Sequence, residues 1–418
     1  MVKKCLFMPI ILLIYSSSLI LSGGDIISLK ISDIEKWVSR TSPELRISLS
    51  EKKLGEVSEY LDSGLSVTNP EFSFKNEWLK SGSREESERE FEVSKSFDMP
   101  WLYAAKKNVW KSRKEAIGLN AEAYRLDFFS RMRAGYVELV LMKRLIEEYG
   151  KAGKVLLDLY HSETKKEKEG FLSRLDLRLI RLAAVNMSIR THRRSFELGE
   201  KENTWKQAAG IDPVKVLVLS TDIVFKPAEG LTGEKLTALY RLSPDYRQWE
   251  AREKSLREKI NTEKMGVFPD ITLSAGYKRV SDGPGGPVLG VSFSLPLLNL
   301  NSVTVKKRRI ELELMRNRSE WSVKSAYREL DAALRKISGY SELLRTIPDP
   351  PVSPTREILP LREAFLEGAV SVTDLISGIE LMLEGMEQYH SALAAYYSNI
   401  FKLEGMTGAR IITFDERR

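Results

Sequence analysis

The strongest constraint on how this chain folds is that it repeats itself. Ser42-Pro43-Glu44-Leu45-Arg46 returns 201 positions later as Ser243-Pro244-Asp245-Tyr246-Arg247, and Pro70-Glu71 returns 199 later as Pro269-Asp270. Val93, Ser94 and Ser96 return as Val291, Ser292 and Ser294, a shift of 198. Gly170, Ser173, Asp176 and Leu177 return as Gly368, Ser371, Asp374 and Leu375 at the same shift, which Lys206–Gly210 and Glu404–Gly408 also keep. Matches in one order at a nearly constant shift indicate a tandem duplication, so both halves must build the same structure.

Each half opens on Ser-Pro, a helix start with serine as cap and proline in the first turn. Two alternating segments follow. Phe72, Phe74 and Trp78 alternate with Ser73, Lys75 and Glu77, and Phe91, Val93 and Phe97 with Glu90, Glu92, Ser94 and Ser96. In the second half Ile271, Leu273, Ala275 and Tyr277 alternate with Thr272, Ser274 and Gly276, and Leu289, Val291, Phe293 and Leu295 with Gly290, Ser292 and Ser294. Period two, one face apolar and the other small or charged, is the pattern of membrane-barrel strands, and the polar stretches 80–88 and 281–287 read as hairpin loops. A soluble half-buried sheet shows the same alternation. Against it stand the aromatics near the strand ends (Trp78, Phe97, Tyr277) and the number of strands: four cannot close a barrel, so several copies must pool theirs.

The remaining mass is helical. Val372, Leu375, Ile379, Met382, Met386, Tyr389, Leu393, Tyr396, Ile400 and Leu403 form a heptad seam that demands a partner helix. Met132, Leu139, Ile146 and Tyr160 mark a long helix over 100–169. Leu172, Leu175, Leu179, Leu182, Ile189 and Phe196 mark its return, and Val323, Tyr327, Leu330, Leu334, Ile337 and Leu344 a fourth helix. A helix of that length spans about 100 Å at 1.5 Å per residue, far more than a globular core needs. The cluster Pro348-Asp349-Pro350-Pro351-Val352-Ser353-Pro354 predicts a break, with a short helix resuming near Thr355 and carrying Pro360.

The N-terminus carries Lys3 and Lys4, an apolar run Cys5–Tyr15 and small residues to Gly24, the signature of a cleaved secretory leader over 1–24. Cys5 is the only cysteine, so thiol chemistry is excluded from the mature chain. The expected organisation is a first repeat over 25–210 (hairpin 67–97, helical hairpin 100–205, tip near 170), a linking segment 211–242, a second repeat over 243–408 (hairpin 267–296, helical hairpin 302–406, tip near 368) and a tail 409–418. The linking segment is punctuated by proline and glycine, holds a strand-like run from Val214 to Leu219, and is expected to pack on the outside of the helices. The net charge of +7 comes from 65 basic residues interleaved with 58 acidic ones, the pattern of solvated helix faces, so no nucleic acid is expected. His161, His192 and His390 are isolated, with His161 and His390 expected on helix surfaces. No phosphate loop, nucleophile elbow or metal-ligand spacing occurs, so no enzyme, cofactor or metal site is expected.

The ensemble resembles the TolC family of outer-membrane efflux proteins over roughly 34–408. Asn69-Pro70-Glu71-Phe72 resembles the first strand of metal-efflux members of the CzcC or CusC type. Gly290-Val291-Ser292-Phe293-Ser294-Leu295-Pro296 resembles the second-repeat strand, and Gly368 with Ser371 and Asp374 resembles the turn at the periplasmic tip. The resemblance implies a mainly α fold with transmembrane β: a homotrimer forming a β-barrel of about twelve strands in the outer-membrane lipid, continued by a periplasmic α-barrel. It also implies a membrane-fusion adaptor at the tips, energy from an inner-membrane RND pump or an ABC transporter, and no covalent chemistry. Carried over by position, Gly170 and Gly368 make the tip turns, Ser173 and Ser371 cap the returning helices, and Asp176, Asp374 and Phe365 stand at the entrance. The aspartates either form acidic rings or merely complement helix N-termini. Phe365 and Val370 replace the Tyr and Arg of a tightly latched entrance, and Ser377 replaces a second acid. A periplasmic coiled-coil adaptor is the alternative, but it would have one helical hairpin and a lipoyl-like β domain.

Overall fold

A computed structural model describes residues 26–65, 69–81, 84–168, 173–267, 270–281, 283–293, 301–347 and 354–414. The expected leader, the tip at Gly170, the strand end at Leu295-Pro296 and the proline cluster 348–353 lie outside the described residues.

The first repeat runs β1 (Ile26–Leu29), α1 (Ile34–Thr41), α2 (Pro43–Asp62), β2 (Glu71–Ser81), β3 (Arg84–Phe97), α3 (Pro100–Lys168) and α4 (Arg174–Ala209). The second runs β4 (Val216–Leu219), α5 (Gly233–Leu242), α6 (Pro244–Met265), β5 (Ile271–Val280), β6 (Gly286–Phe293), α7 (Ser302–Arg345), α8 (Pro354–Leu366) and α9 (Val372–Thr407). The two Ser-Pro sites fold alike. Ser42 Oγ accepts from Leu45 N–H and Ser243 Oγ from Tyr246 N–H, each capping a helix with proline at its first position. The duplication also reaches into the expected linking segment: α5 precedes Ser243 as α1 precedes Ser42, and β4 pairs in parallel with β1.

α3 is one helix of 69 residues, about 100 Å long. Near the strands the helices lie side by side in the order α2, α3, α6, α7; further along, α4 and α9 flank α3, with α7 and α8 beside α9. The wall is therefore one helix thick. Its core gathers where β1–β4, α1 and α5 wrap it: Tyr136, Leu139, Leu330, Tyr396, Tyr397 and Phe401 are buried together. Tyrosine hydroxyls tie the wrapping segment down. Tyr136 donates to Leu29 O (2.9 Å), and Tyr396 and Tyr397 donate to Lys226 O (2.9 Å) and Val224 O (2.5 Å). α4 ends at Gly210, whose φ of 69° suits a left-handed cap. A Cβ there would sit 2.2 Å from the Thr41 carbonyl oxygen, so only glycine fits.

The heptad seam of α9 is buried at Val372, Leu375, Ile379, Met386, Leu393, Tyr396, Ile400 and Leu403, with Met382 and Tyr389 half-buried against the core. The buried face is wider than the seam and takes in Leu383, His390, Tyr397, Phe401 and Glu404. Two expectations need correcting. His390, expected on the surface, is buried beside the seam. On α4 the expected seam is turned outward: Leu175, Leu182, Ile189 and Phe196 are 57–73% exposed, whereas Ile180, Ala183, Ala184 and Met187 face α3.

Candidate functional site: a sheet with two faces and a pair of helical tips

The hairpins β2–β3 and β5–β6 form one antiparallel sheet in the order β2-β3-β5-β6. Pairing fixes which residues share a face. Phe72, Val93, Ala275 and Leu289 form one row, Phe74, Phe91, Tyr277 and Pro287 the next, and Phe97, Ile271 and Phe293 a third towards the helices. Phe72, Trp78, Leu289 and Val291 are 68–84% exposed on this face. The opposite face carries Glu71, Ser94, Ser274 and Gly290 in one row and Lys75, Glu90, Lys278 and Gly286 in another. Its charges are complementary: Lys75 and Lys278 lie across from Glu90 on either side, and Lys278 also pairs with Glu88. A sheet apolar on one face and polar on the other, with no further strand on β2 or β6 among the described residues, matches a membrane-barrel segment.

The helical wall has open edges too. In its upper half α2 and α7 are the outer helices, and they expose Ile47, Leu54, Val57 and Val303, Ile310, Trp321 respectively. In the lower half the outward α4 stripe is one edge, and Leu343 and Leu359 lie at the other.

At the tips, Ser173 Oγ accepts from Leu175 N–H at 3.2 Å and caps α4. Ser371 caps α9 in a reciprocal box: its Oγ accepts from Asp374 N–H at 3.1 Å, while Asp374 Oδ2 accepts from Ser371 N–H at 3.2 Å and Ser371 Oγ–H at 2.6 Å. These bonds favour the Asp374 carboxylate and hold its pKa below the usual range. Its capping role is thus met, and its side chain remains exposed. Gly368 turns the chain with φ of 77°. Asp176 lies half-buried in the first turn of α4. Phe365, expected to line the entrance, is instead buried among Val372, Leu375 and Ile379, because α8 lays its apolar side on α9. Gly170 lies outside the described residues.

The two helical hairpins are joined by polar contacts that periodicity did not single out. Tyr149 Oη donates to Glu387 Oε2 at 2.9 Å, Arg194 pairs with the other Glu387 oxygen, and Arg190 meets Glu380 at 3.7 Å. Burial, reinforced by Glu387, raises the Tyr149 phenol to about 12. Deeper, Arg133 and Glu404 form a buried ion pair, with the guanidinium 4.1 Å from the Phe401 ring centre. Glu404 Oε1 accepts from Ile411 and Ile412 N–H (2.8 and 3.0 Å) and so pins the C-terminal segment. The only sequence signal for this pair was charge on an otherwise apolar helix face.

Among the described residues no group of three or more His, Cys, Asp or Glu is placed to hold a metal ion. Nor is any helix long and apolar enough to cross a membrane, which says nothing of strands.

This fold is that of the outer-membrane channels. A CusC structure, whose description concerns folding and transmembrane channel formation, matches with TM-score 0.71 at 16% identity, over 93% of this chain and 95% of that one. The CmeC outer-membrane channel of Campylobacter jejuni matches with TM-score 0.73 at 14% identity, over 90% of this chain and 85% of its own. The open MtrE outer-membrane channel of Neisseria gonorrhoeae gives 0.67 at 14%, over 91% and 89%. No family model and no curated protein matches the sequence.

Proposed function

We propose that this chain is one subunit of an outer-membrane exit duct, a passive conduit from periplasm to exterior in a tripartite efflux or export system. The observation that carries the reading is the set of open edges. β2 and β6 end a four-stranded sheet without further partners among the described residues, and the one-layer helical wall exposes apolar stripes at both margins. Head-to-tail repetition satisfies each edge with the opposite edge of the next copy and closes a ring. Three copies give twelve strands, enough for an aqueous lumen rather than a filled core.

In this reading the strands sit in the outer membrane and α3, α4, α7 and α9 descend into the periplasm. The tips around Ser173, Gly368 and Ser371 meet a membrane-fusion adaptor, and an inner-membrane RND pump or ABC transporter selects the cargo and supplies the energy. Asp176 and Asp374, repeated threefold, stand near the entrance. The channel breaks and forms no covalent bond. Fractionation tests it: the protein should be recovered with the outer membrane, and a strain lacking it should become sensitive to the pump's substrates. Recovery in the soluble periplasm would exclude the duct.

A further inference from the structure

On the apolar face of the sheet, one row breaks the pattern. Asn76 on β2, Arg89 on β3 and Arg279 on β5 lie directly opposite one another. Towards the helices this row is bordered by Phe74, Phe91 and Tyr277, and towards the hairpin loops by Trp78, Ser87 and Ser281. It therefore sits at the loop-side margin of the apolar band, where the lipid-facing surface meets headgroups.

Two like charges directly across a strand pair, with Cβ atoms about 5 Å apart, repel one another. On the polar face the like-charged pair Glu77 and Glu88 is relieved by Lys278, and in the next row Glu90 lies between Lys75 and Lys278. The arginines have no such relief: both are exposed, and among the described residues neither guanidinium meets a carboxylate. Asn76 ends the row on β2, half-buried, with its Oδ1 shielded and without a hydrogen-bond partner. The row thus offers two planar, forked donors side by side on a surface turned to lipid. That arrangement fits a headgroup phosphate, with guanidinium forks on the phosphate oxygens.

We infer that Arg89 and Arg279 form a docking site for the phosphorylated headgroup of an outer-leaflet lipid, one site per subunit around the barrel. The inference rests on the outer-membrane channel reading. A bound headgroup would relieve the arginine repulsion and anchor the barrel at a fixed depth.

The test uses the full-length protein purified in detergent, with lipid A as the probe in its bis-phosphorylated and its fully dephosphorylated forms, and retention read by native mass spectrometry. The bis-phosphorylated form should bind about tenfold more tightly or better, as expected for two charge-assisted contacts. The double variant Arg89→Gln/Arg279→Gln should abolish that preference, and Arg89→Lys/Arg279→Lys, which keeps the charges but loses the forks, should keep only part of it. Removing two charges from a lipid-facing surface does not threaten folding, and trimer mass in the same spectra confirms assembly. Equal retention by wild type and the glutamine variant would overturn the site. Displacement of lipid A by millimolar inorganic phosphate would also overturn it, in favour of a bare anion site. Fractionation and conductance of the same preparation separate the two readings: a conducting outer-membrane protein with no phosphate preference sinks this site alone, whereas a soluble protein without conductance sinks both.

Discussion

Two buried residues set sharp expectations. Glu404 neutralises Arg133 beneath the wrapping segment and accepts two backbone N–H groups of the C-terminal stretch. Glu404→Ala would leave Arg133 buried without its partner, at a cost of about 3–5 kcal/mol. Thermal melting should show a large loss for Glu404→Ala and a smaller one for Glu404→Gln, which keeps an acceptor. His390 is buried between α9 and α3, near Arg144 and Glu148, and burial pushes its pKa down to about 4. Between pH 6.5 and 4 the unfolded chain therefore takes up a proton that the folded chain refuses. Stability from this group is intact above pH 6.5 and falls by about 1.4 kcal/mol per unit below it. His390→Gln should flatten the acid limb of a melting-temperature profile, and an unchanged slope would contradict the assignment. Neither role could be read from the sequence. His390 and Glu404 each stand one position past a seam residue (Tyr389, Leu403), and a heptad count gives the centre of a buried stripe without its width.

At the scale of elements, the strand cores and helix starts were legible because their signals are local, but 80–88, expected as a loop, continues both strands as far as Ser81 and Arg84. Alternation in 72–78 and 271–277 fixes the two faces of the sheet, and Ser-Pro or Ser-x-x-Asp fixes where α2, α6 and α9 begin. β1 was not legible: four residues beside a leader carry no period, and they become a strand only by pairing with β4 across 190 positions. The α4 stripe was legible as apolar but not as outward, since periodicity shows that a face wants cover without saying from which chain. That stripe gives the third prediction. Leu182→Glu with Ile189→Glu should leave the helical content by circular dichroism unchanged while weakening association, by about 1.5–3 kcal/mol for each side chain no longer covered. Loss of helicity instead would mean that the stripe supports the subunit's own fold.

For the whole molecule, the duplication explains the architecture and also its incompleteness. Each repeat contributes a two-stranded hairpin and a helical hairpin, and joining β3 to β5 makes one continuous sheet of four strands with both ends free. A single copy thus leaves sheet edges and apolar stripes that only further copies can cover, and the circular closure of those edges is what turns a wall into a duct. The most direct measurement is of mass and conductance together, on the protein extracted from membranes and reconstituted into a planar bilayer. The account predicts a particle of three subunits that carries a steady ionic current at neutral pH. A monodisperse single subunit, or a trimer that never conducts, would contradict it.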